Sequence, residues 1–463
     1  MGGEVKGRYV SGFGIGTAFS RLFGLVREMV LAGFFGAGWE MDAFRVGFNL
    51  PNLFRDVVGE GALNAVFLPL FGEIYTKEGK ESAWHFARVF LTFLVIVVLS
   101  IVVLGELGAG WIVRLLAPGM FSTVERGELT VLLLRIDFPF LFFISLSAFA
   151  LALLTFFRHF FVAGLAPVFF NVGSILGIIV FYPVFSRMGV NPIASAGLGV
   201  VVGGLLQFLF QLPWVFRHNS QWFCVFEFNN PNLLLALKRI VPVLMGYAAT
   251  RINVAVNIFL ASLLVEGSIS YLQYAYRLMH LPLGVFGVAI ATATLPVASV
   301  AFSSGDKEGV NLAFLSSLKM VVFLVIPVVA FLLLFAKDVV SLVYERGAFM
   351  SVDTLNTAMV LLAYTPAIFG ASCAKVLSNL HYSAGDTASP MRVSVIAVVV
   401  NILCAVLLMR PLGAVGLALA TSISALVNAV LLYRSFSAKV GVGILRGLLW
   451  YGLKVGFLSL IHI

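Results

Sequence analysis

The chain has 463 residues, of which 61% are hydrophobic and 11% are charged, and its formal net charge is +9. Soluble domains are about 45 to 50% apolar and about 25% charged, so this composition excludes a water-soluble globular fold. Lys and Arg are scattered without a basic block, which argues against a nucleic-acid-binding protein, and Cys224, Cys373 and Cys404 are too widely spaced for a disulfide framework or a metal site.

Apolar runs of roughly 20 residues recur along the chain, and each can cross a hydrocarbon core of about 30 Å as a helix. Helices are expected because backbone groups in lipid must pair within the segment, and the period-two pattern of a membrane barrel is missing. We therefore predict an all-α, polytopic membrane protein with about 13 transmembrane helices. The predicted spans are 8–34, 42–76, 85–113, 129–157, 160–184, 193–216, 232–265, 269–302, 313–336, 355–381, 391–409, 412–434 and 444–462.

The second and eighth spans are longer than one crossing needs, and they contain Pro51 and Pro282. Proline removes a helical hydrogen bond, so both helices are predicted to bend. Bent helices in transporters usually border a cavity.

The connecting segments differ in charge, because Lys and Arg are more frequent on the amino-terminal side of the membrane. By the positive-inside rule we predict a cytoplasmic amino terminus. The first span contains Arg21, Arg27 and Glu28 and has no small-residue cleavage site, so it is expected to be a retained helix rather than a signal peptide.

The most polar connection, residues 218–231, follows the sixth span. We predict two six-helix lobes, 1–220 and 221–436, around a central cavity, and an additional transmembrane helix in 437–463 whose partner helix is missing or shortened. A Leu-Pro after a polar turn occurs in both halves, in DAFRVGFNLPNLF and QYAYRLMHLPLGVF, as a pseudo-symmetric duplication would leave it. Chance recurrence of Leu-Pro in a Leu-rich chain is the alternative.

Charged side chains inside the spans also indicate a cavity, because placing each charged side chain in contact with lipid costs roughly 2.5 to 3.5 kcal/mol. Seven-residue spacing puts Arg21 and Glu28 on one face of the first helix, and an Arg–Glu pair that only fixes packing is the alternative. Polar residues at steps of three or four form a stripe on the second helix, unless part of it is an amphipathic helix outside the membrane. The stripe contains Arg45, Asn49, Asn52, Asp56, Glu60 and Asn64, with Asp42 and Arg55 beside it.

The second half repeats this pattern on its first two helices. The polar residues are Thr250, Asn253 and Asn257 on the seventh span and Gln273, Arg277 and His280 on the eighth, with Arg251 nearby. Arg277 is a permanent cation in an apolar helix. Arginines from both halves predict a site for an oxygen-rich anion, since guanidinium groups bind phosphate through two hydrogen bonds. A pyrophosphate-linked lipid fits this site better than a cationic drug.

The segment from Ser20 to Phe71 closely resembles the opening of the MurJ (MviN) family of flippases, within the superfamily of multidrug and polysaccharide exporters. The family pattern is roughly SR-x-x-G-x-x-R-[DE], then FGAG, DAF, LPN, R and EGA. Similar segments continue at 267–296, at YERGAF in 344–349 and at HYSAGDTASP in 381–390, so the resemblance covers nearly the whole chain.

The resemblance implies a flippase, not an enzyme, that moves the peptidoglycan precursor lipid II from the cytoplasmic to the outer leaflet of the inner membrane by alternating access. Lipid II and membrane lipids are the expected partners, and nucleic acid is not. The residues expected to bind the substrate pyrophosphate are Arg21, Arg27, Arg55 and Arg277. The residues expected to line or gate the cavity are Glu28, Asp42, Asn49, Asn52, Arg251 and Asn257.

No organic cofactor is expected, and the chain has no P-loop, so the energy is expected from a sodium ion or from the membrane potential. Asp386 matches one family ligand for sodium. The chain departs from the family at Glu28, where many members have Asp, and at Arg45 and Arg251, where neutral residues are expected; a fourteenth helix is not found.

Other functions remain open. A related protein would carry another lipid-linked oligosaccharide or a small organic cation. A membrane enzyme acting on the same lipids would need paired carboxylates or a histidine cluster, and six scattered histidines without HExxH argue against it.

Overall fold

A computed structural model describes residues 2–56, 63–219, 221–440 and 445–462, and these residues form helices and short connections with no β-strand. Eight helices among them are long and apolar enough to cross a membrane. The predicted all-α, polytopic class is therefore confirmed.

The contacts between residues divide the chain into two compact units, Met1–Ile252 and Asn253–Ile463. The helices of the first unit are α1 (Gly2–Phe35), α2 (Trp39–Asp56), α3 (Leu68–Lys77), α4 (Lys80–Leu107), α5 (Ala109–Leu116), α6 (Val124–Phe156), α7 (Phe160–Met188) and α8 (Ala194–Phe216). Helix α9 (Pro231–Ser262) contains the division. The helices of the second unit are α10 (Ser268–Pro282), α11 (Val288–Ser303), α12 (Lys307–Tyr344), α13 (Ser351–Ser383), α14 (Ala388–Val440) and α15 (Leu445–His462). The predicted lobe boundary at residues 220 and 221 stays a prediction.

The predicted bent spans are both interrupted. In the second span, α2 continues through Pro51 to Asp56, residues 63–67 form a π-helical turn, and α3 follows. In the eighth span, a π-helical turn at Leu283–Gly287 comes directly after Pro282. Neither span is one regular helix, which is the arrangement expected of helices that border a cavity.

Helix α14 contains a sharp break that separates two of the predicted spans. Gly413 has a φ of 57° and a ψ of −134°, a conformation that a residue with a Cβ adopts only with strain. Pro411 lies two residues earlier, where it cannot donate a helical hydrogen bond. The sequence expectation of separate spans ending at 409 and starting at 412 agrees with this break.

Glycines bring α7 and α8 close together in the first unit. A Cβ atom added to Gly177 would lie 2.4 Å from the Cα atom of Gly199, and one added to Gly173 would lie 2.7 Å from the Cα atom of Gly203. Such contacts are typical of membrane helices, where small residues let backbones pack closely. This packing fixes the position of α8 against α7.

The polar connection after α8 runs as an extended segment, described at 221–230, along one end of α4. The backbone N–H of Val225 donates to Thr92 Oγ1 at 2.9 Å, and the guanidinium of Arg88 lies 4.3 Å from the centre of the Phe223 ring. Trp222 packs edge-on against Trp84, with ring centres 5.5 Å apart. The segment is therefore attached to the first unit along its length.

Candidate substrate-binding site

The first unit contains a buried cluster of three charged side chains. Glu28 on α1 accepts hydrogen bonds from two arginines: Arg27 Nη2 donates to Oε1 at 2.9 Å, and Arg45 Nη2 of α2 donates to Oε2 at 2.5 Å. The three side chains are 7%, 3% and 5% exposed, in the order Arg27, Glu28 and Arg45. One carboxylate is thus shared by two guanidinium groups in the interior of the first unit.

Aromatic rings hold the Arg27 guanidinium in place. Its carbon atom Cζ lies 5.1 Å from the centre of the Phe170 ring on α7 and 5.7 Å from that of the Phe48 ring on α2. The negative faces of aromatic rings attract a guanidinium in this way. A small cavity of about 10 Å³ adjoins the cluster and is lined by Arg27, Leu31, Phe44, Arg45, Phe48, Ser174, Ile178, Ala196 and Val200.

All three residues of this cluster were named from the sequence, but the sequence did not predict which side chains form ion pairs. Arg27 and Glu28 were expected to contribute to the site, and both are buried in it. The α1 arginine that reaches Glu28 is Arg27, whereas Arg21 is exposed. Arg45 was expected only as part of the polar stripe and as a departure from the family, and its role as the second partner of Glu28 depends on how α1 and α2 pack.

The described part of the α2 stripe changes from buried to half-buried along the helix. Asp42 is 2% exposed, whereas Asn49, Asn52 and Arg55 are half-buried. Asn49 Nδ2 and Asn52 Oδ1 are shielded from solvent and have no hydrogen-bond partner among the described residues. A polar substrate would satisfy these two amides. The side chains of Asp56 and Glu60, predicted to continue the stripe, lie outside the described residues.

The predicted site residues of the second half are divided between the two units. Arg251 is half-buried in the first unit, and the side chain of Thr250 lies outside the described residues. In the second unit, Asn257 Nδ2 donates to Asn401 Oδ1 at 3.3 Å, which ties α9 to α14. Arg277 is half-buried on α10.

The neighbour of Arg277 on the same face, His280, is held within its own helix. Its Nδ1 donates to the carbonyl oxygen of Tyr276 at 3.1 Å, and the two rings lie 3.8 Å apart. Both contacts are made within α10 itself.

Asp386 lies in the connection before α14, where both of its oxygens have partners. Oδ1 accepts from the backbone N–H of Ser389 at 3.0 Å, and Oδ2 accepts from Lys439 Nζ. The hydrogen bond from Lys439, followed by those from Ser389, lowers the pKa of this carboxyl. Among the described residues no group of three His, Cys, Asp or Glu side chains is arranged to hold a metal ion. A sodium ligand at Asp386 stays a prediction.

An apolar groove of about 390 Å³ lies between α11 and α12 in the second unit. Small and apolar side chains line it, with only three hydroxyl groups, and the lining residues are Ala289, Ile290, Ala293, Thr294, Val297, Ala313, Ser316, Ser317, Met320 and Leu324. Two of the hydroxyls are satisfied together, since Thr294 Oγ1 donates to Ser317 Oγ at 3.0 Å. The groove offers an apolar surface at the membrane-spanning part of the unit.

Sequence reasoning missed one buried charged residue, Asp137 on α6, which is 0% exposed. A lone acidic residue in an apolar run was the available signal, because ionisable residues inside a span mark functional sites. It lacked the repeated spacing that drew attention to α1 and α2.

Comparison with known proteins places these features in a family. Residues 31–463 match the family model described as "Lipid II flippase MurJ". The "Probable lipid II flippase MurJ" of Vibrio cholerae is 34% identical over 443 residues, covering 94% of this chain and 83% of the relative. The protein of the same name in Rhizobium tropici is 35% identical over 422 residues, covering 90% and 78%.

Solved structures give the same relationship. A structure titled "Lipid II flippase MurJ, inward closed conformation" matches with a TM-score of 0.82 and 29% identity, covering 97% of this chain and 90% of the other. An inward-facing transporter of the multidrug resistance MATE family matches with a TM-score of 0.73 and 18% identity, covering 91% and 94%, and shares the fold.

Proposed function

The chain belongs to the MurJ family of lipid II flippases, and we propose that it moves lipid II from the cytoplasmic to the outer leaflet of the membrane. Its family is one of transporters, and its apolar helices make it a multi-pass protein of the inner membrane. We further propose a cytoplasmic amino terminus, in agreement with the bias of Lys and Arg toward that side.

The observation that carries this proposal is the buried cluster of Arg27, Glu28 and Arg45, in which two guanidinium groups share one carboxylate. A pyrophosphate offers several anionic oxygens to guanidinium groups, and such bonds are short and strong. The substrate competes with Glu28 for the two arginines, so binding exchanges one anion for another and leaves no guanidinium unpaired in the membrane.

Arg21, Arg55 and Arg277 complete the proposed pyrophosphate-binding set. Arg277 supplies the cation of the second unit, and the half-buried amides of Asn49 and Asn52 supply hydrogen bonds to polar groups of the sugar. The remaining residues of the cavity and gate are Glu28, Asp42, Arg251 and Asn257. The lipid tail stays in an apolar environment while the headgroup crosses.

Transport follows alternating access, driven by the membrane potential or by a sodium ion. Each charge moved through 100 mV supplies about 2.3 kcal/mol. The negative charge of the substrate headgroup responds to this potential as it crosses the membrane.

The test is complementation of a strain depleted of its own lipid II flippase, with surface accessibility of lipid II scored together with growth. The proposal predicts rescue by the wild-type chain and loss of rescue by Arg27→Ala and Arg277→Ala, both inserted normally. Arg187→Ala is the matched control, because Arg187 is exposed at the end of α7.

Rescue by both cavity variants contradicts the assigned roles. Failure of the inserted wild-type chain favours another lipid-linked oligosaccharide as substrate, and competition for binding between lipid II and such lipids identifies it.

A further inference from the structure

Asp137 is a carboxyl group that the proposed substrate site does not use. It lies on α6 with a side chain that is 0% exposed. Neither Oδ1 nor Oδ2 has a hydrogen-bond partner among the described residues. The buried charged groups Arg27, Glu28 and Arg45 of the same unit, in contrast, form ion pairs with one another.

The surroundings of Asp137 are made of small residues at the start of α8. A Cβ atom added to Gly197 would lie 3.2 Å from Asp137 Oδ1 and 3.0 Å from Ile136 Cγ2. The nearest hydroxyl along α8, that of Ser195, is already occupied, because its Oγ donates to the carbonyl oxygen of Pro192 at 2.7 Å. The carboxyl therefore packs against backbone and apolar atoms.

Charged side chains do not neutralise it. Helix α8 has none, and among the described side chains on the other helices that pack against α6 only Asp42 and Arg45 of α2 are buried. The exposed or half-buried charged groups on those helices are Glu40, Arg55, Glu73, Lys77, Lys80, Glu81, His85, Arg88, Glu106, Arg114 and Arg187. On α6 itself the charged groups Glu125, Arg126, Glu128 and Arg135 are also exposed or half-buried. Arg45 is already bonded to Glu28.

An ionised carboxylate in this position would be a buried charge without compensation, which is far more costly than a neutral acid. Taking up one proton converts the carboxylate to a carboxylic acid and removes the charge. A sodium ion would neutralise the carboxylate less well, because a hard cation needs several oxygen ligands and neither oxygen of Asp137 has a hydrogen-bond partner among the described residues.

The same part of α8 also borders the cationic cluster. Ala196 and Val200 line the 10 Å³ cavity together with Arg27 and Arg45, whereas Gly197 contacts Asp137. Because the carboxyl lies on α6 and the arginines lie on α1 and α2, a shift of α6 against those two helices changes the separation of the carboxyl and the arginines. A guanidinium group that comes close to a carboxyl favours its ionised form, so the proton leaves.

We propose that Asp137 is a proton-binding site of the first unit, protonated in the conformation described here and ionised in another conformation of the transport cycle. Its role in transport rests on the flippase function proposed above, whereas the site itself does not. If the proton is taken up from one side of the membrane and released to the other side in each cycle, transport depends on the proton gradient.

Infrared spectroscopy of the full-length protein in lipid nanodiscs tests the site without measuring transport. At neutral pH the wild-type protein is expected to show the carbonyl stretch of a protonated carboxylic acid, sensitive to exchange into D₂O, and Asp137→Asn is expected to lack it. Glu125→Gln, at an exposed position of the same helix, is the control and should retain the band. Identical carbonyl regions in the wild-type protein and Asp137→Asn would falsify the proposal.

Flipping of lipid II in proteoliposomes with an imposed pH gradient tests the role. The wild-type rate is expected to change several-fold with the gradient, and the Asp137→Asn rate is expected to be independent of it. A gradient dependence that survives in Asp137→Asn, or a dependence on sodium that this variant removes, contradicts the role.

If the wild-type protein flips no lipid II at any pH, the proposed flippase function is wrong, and the infrared band still shows whether Asp137 binds a proton. Asn has nearly the same shape as a protonated Asp and is also uncharged, so Asp137→Asn should fold. A variant that thermal unfolding shows to be unfolded would therefore also contradict a neutral acid at this position.

Discussion

Glu28 and Arg45 join the first two helices of the chain inside the membrane, with Glu28 Oε2 2.5 Å from Arg45 Nη2. The other oxygen of Glu28 is 2.9 Å from Arg27 Nη2, so one carboxylate is saturated by two guanidinium groups. The cluster thus has two properties that separate mutations can test, namely its contribution to stability and its ability to release the arginines to an anion.

Stability should depend more on Glu28 than on Arg45. Glu28→Gln removes the carboxylate that two buried guanidinium groups share, and removal of one partner of a buried ion pair typically costs about 3 to 5 kcal/mol. Arg45→Met leaves the Arg27–Glu28 pair intact and keeps an apolar stem of similar length. Thermal unfolding of the purified variants should therefore give the lower midpoint for Glu28→Gln, and the reverse order would show that Glu28 is not the common partner.

Binding of lipid II should require a guanidinium at position 27 and not merely a positive charge. Arg27→Lys keeps the charge but loses the planar fork and the fit between the Phe48 and Phe170 rings. Loss of one charge-assisted hydrogen bond of about 1.5 kcal/mol corresponds to roughly a tenfold weaker affinity. We expect at least that loss in lipid II binding. Arg187→Lys, on the exposed end of α7, should bind as the wild type does, and equal affinity of the two variants contradicts the prediction.

The close approach of α7 and α8 makes Gly177 a site where one methyl group is not tolerated. Its added Cβ would meet the Gly199 backbone at 2.4 Å, and backbone atoms cannot give way as a flexible side chain does. Gly177→Ala should destabilise the protein by about 1 to 3 kcal/mol, the usual range for overpacking. Gly110→Ala is the control, since an added Cβ there meets nothing within 4 Å, and it should be neutral or stabilising. Equal thermal midpoints for Gly177→Ala and Gly110→Ala would mean that α7 and α8 can move apart to make room for the methyl group without a loss of stability.

Local features of the fold were predictable where one residue type determines the backbone. Pro51 and Pro282 indicated the interrupted spans, and the break at Gly413 was expected between two apolar runs. The pairing of Glu28 with Arg45 was not predictable, because it depends on which faces of α1 and α2 meet. Asp137 was missed because it belongs to no repeated spacing of polar residues, and the absence of a hydrogen-bond partner for its oxygens among the described residues is visible only in the structure.

A histidine pair holds the beginning of the connecting segment after α8, and its chemistry predicts a response to acid. The ring of His218 stacks on that of Phe157, with centres 3.9 Å apart, and its Nε2 lies 2.9 Å from His159 Nε2. One imidazole donates and the other accepts, so this contact requires at least one neutral ring. Burial, then the charges of His159 and Lys80, lowers the pKa of His218 below its ordinary value of 6.5.

The sign of the effect follows from this lowered pKa. When the segment detaches, the pKa of His218 returns toward 6.5, so the detached state binds more protons between the two values. The attachment is therefore fully stable above about pH 6.5 and weakens as the pH falls from there toward the lowered pKa of His218 in the attached state. Hydrogen exchange of residues 221–230, corrected for the intrinsic rate, should increase several-fold between about pH 7.5 and about pH 5.5.

His218→Phe separates titration from packing, because it keeps a ring against Phe157 and removes the ionisable group. Exchange of residues 221–230 in this variant should be nearly independent of pH after the same correction. His85→Gln is the control: His85 Nε2 donates to Glu227 Oε2 at 2.8 Å at the other end of the segment, and an amide can also donate there. If the response to acid persists in His218→Phe and disappears in His85→Gln, the contact between His85 and Glu227 controls attachment and the prediction is wrong.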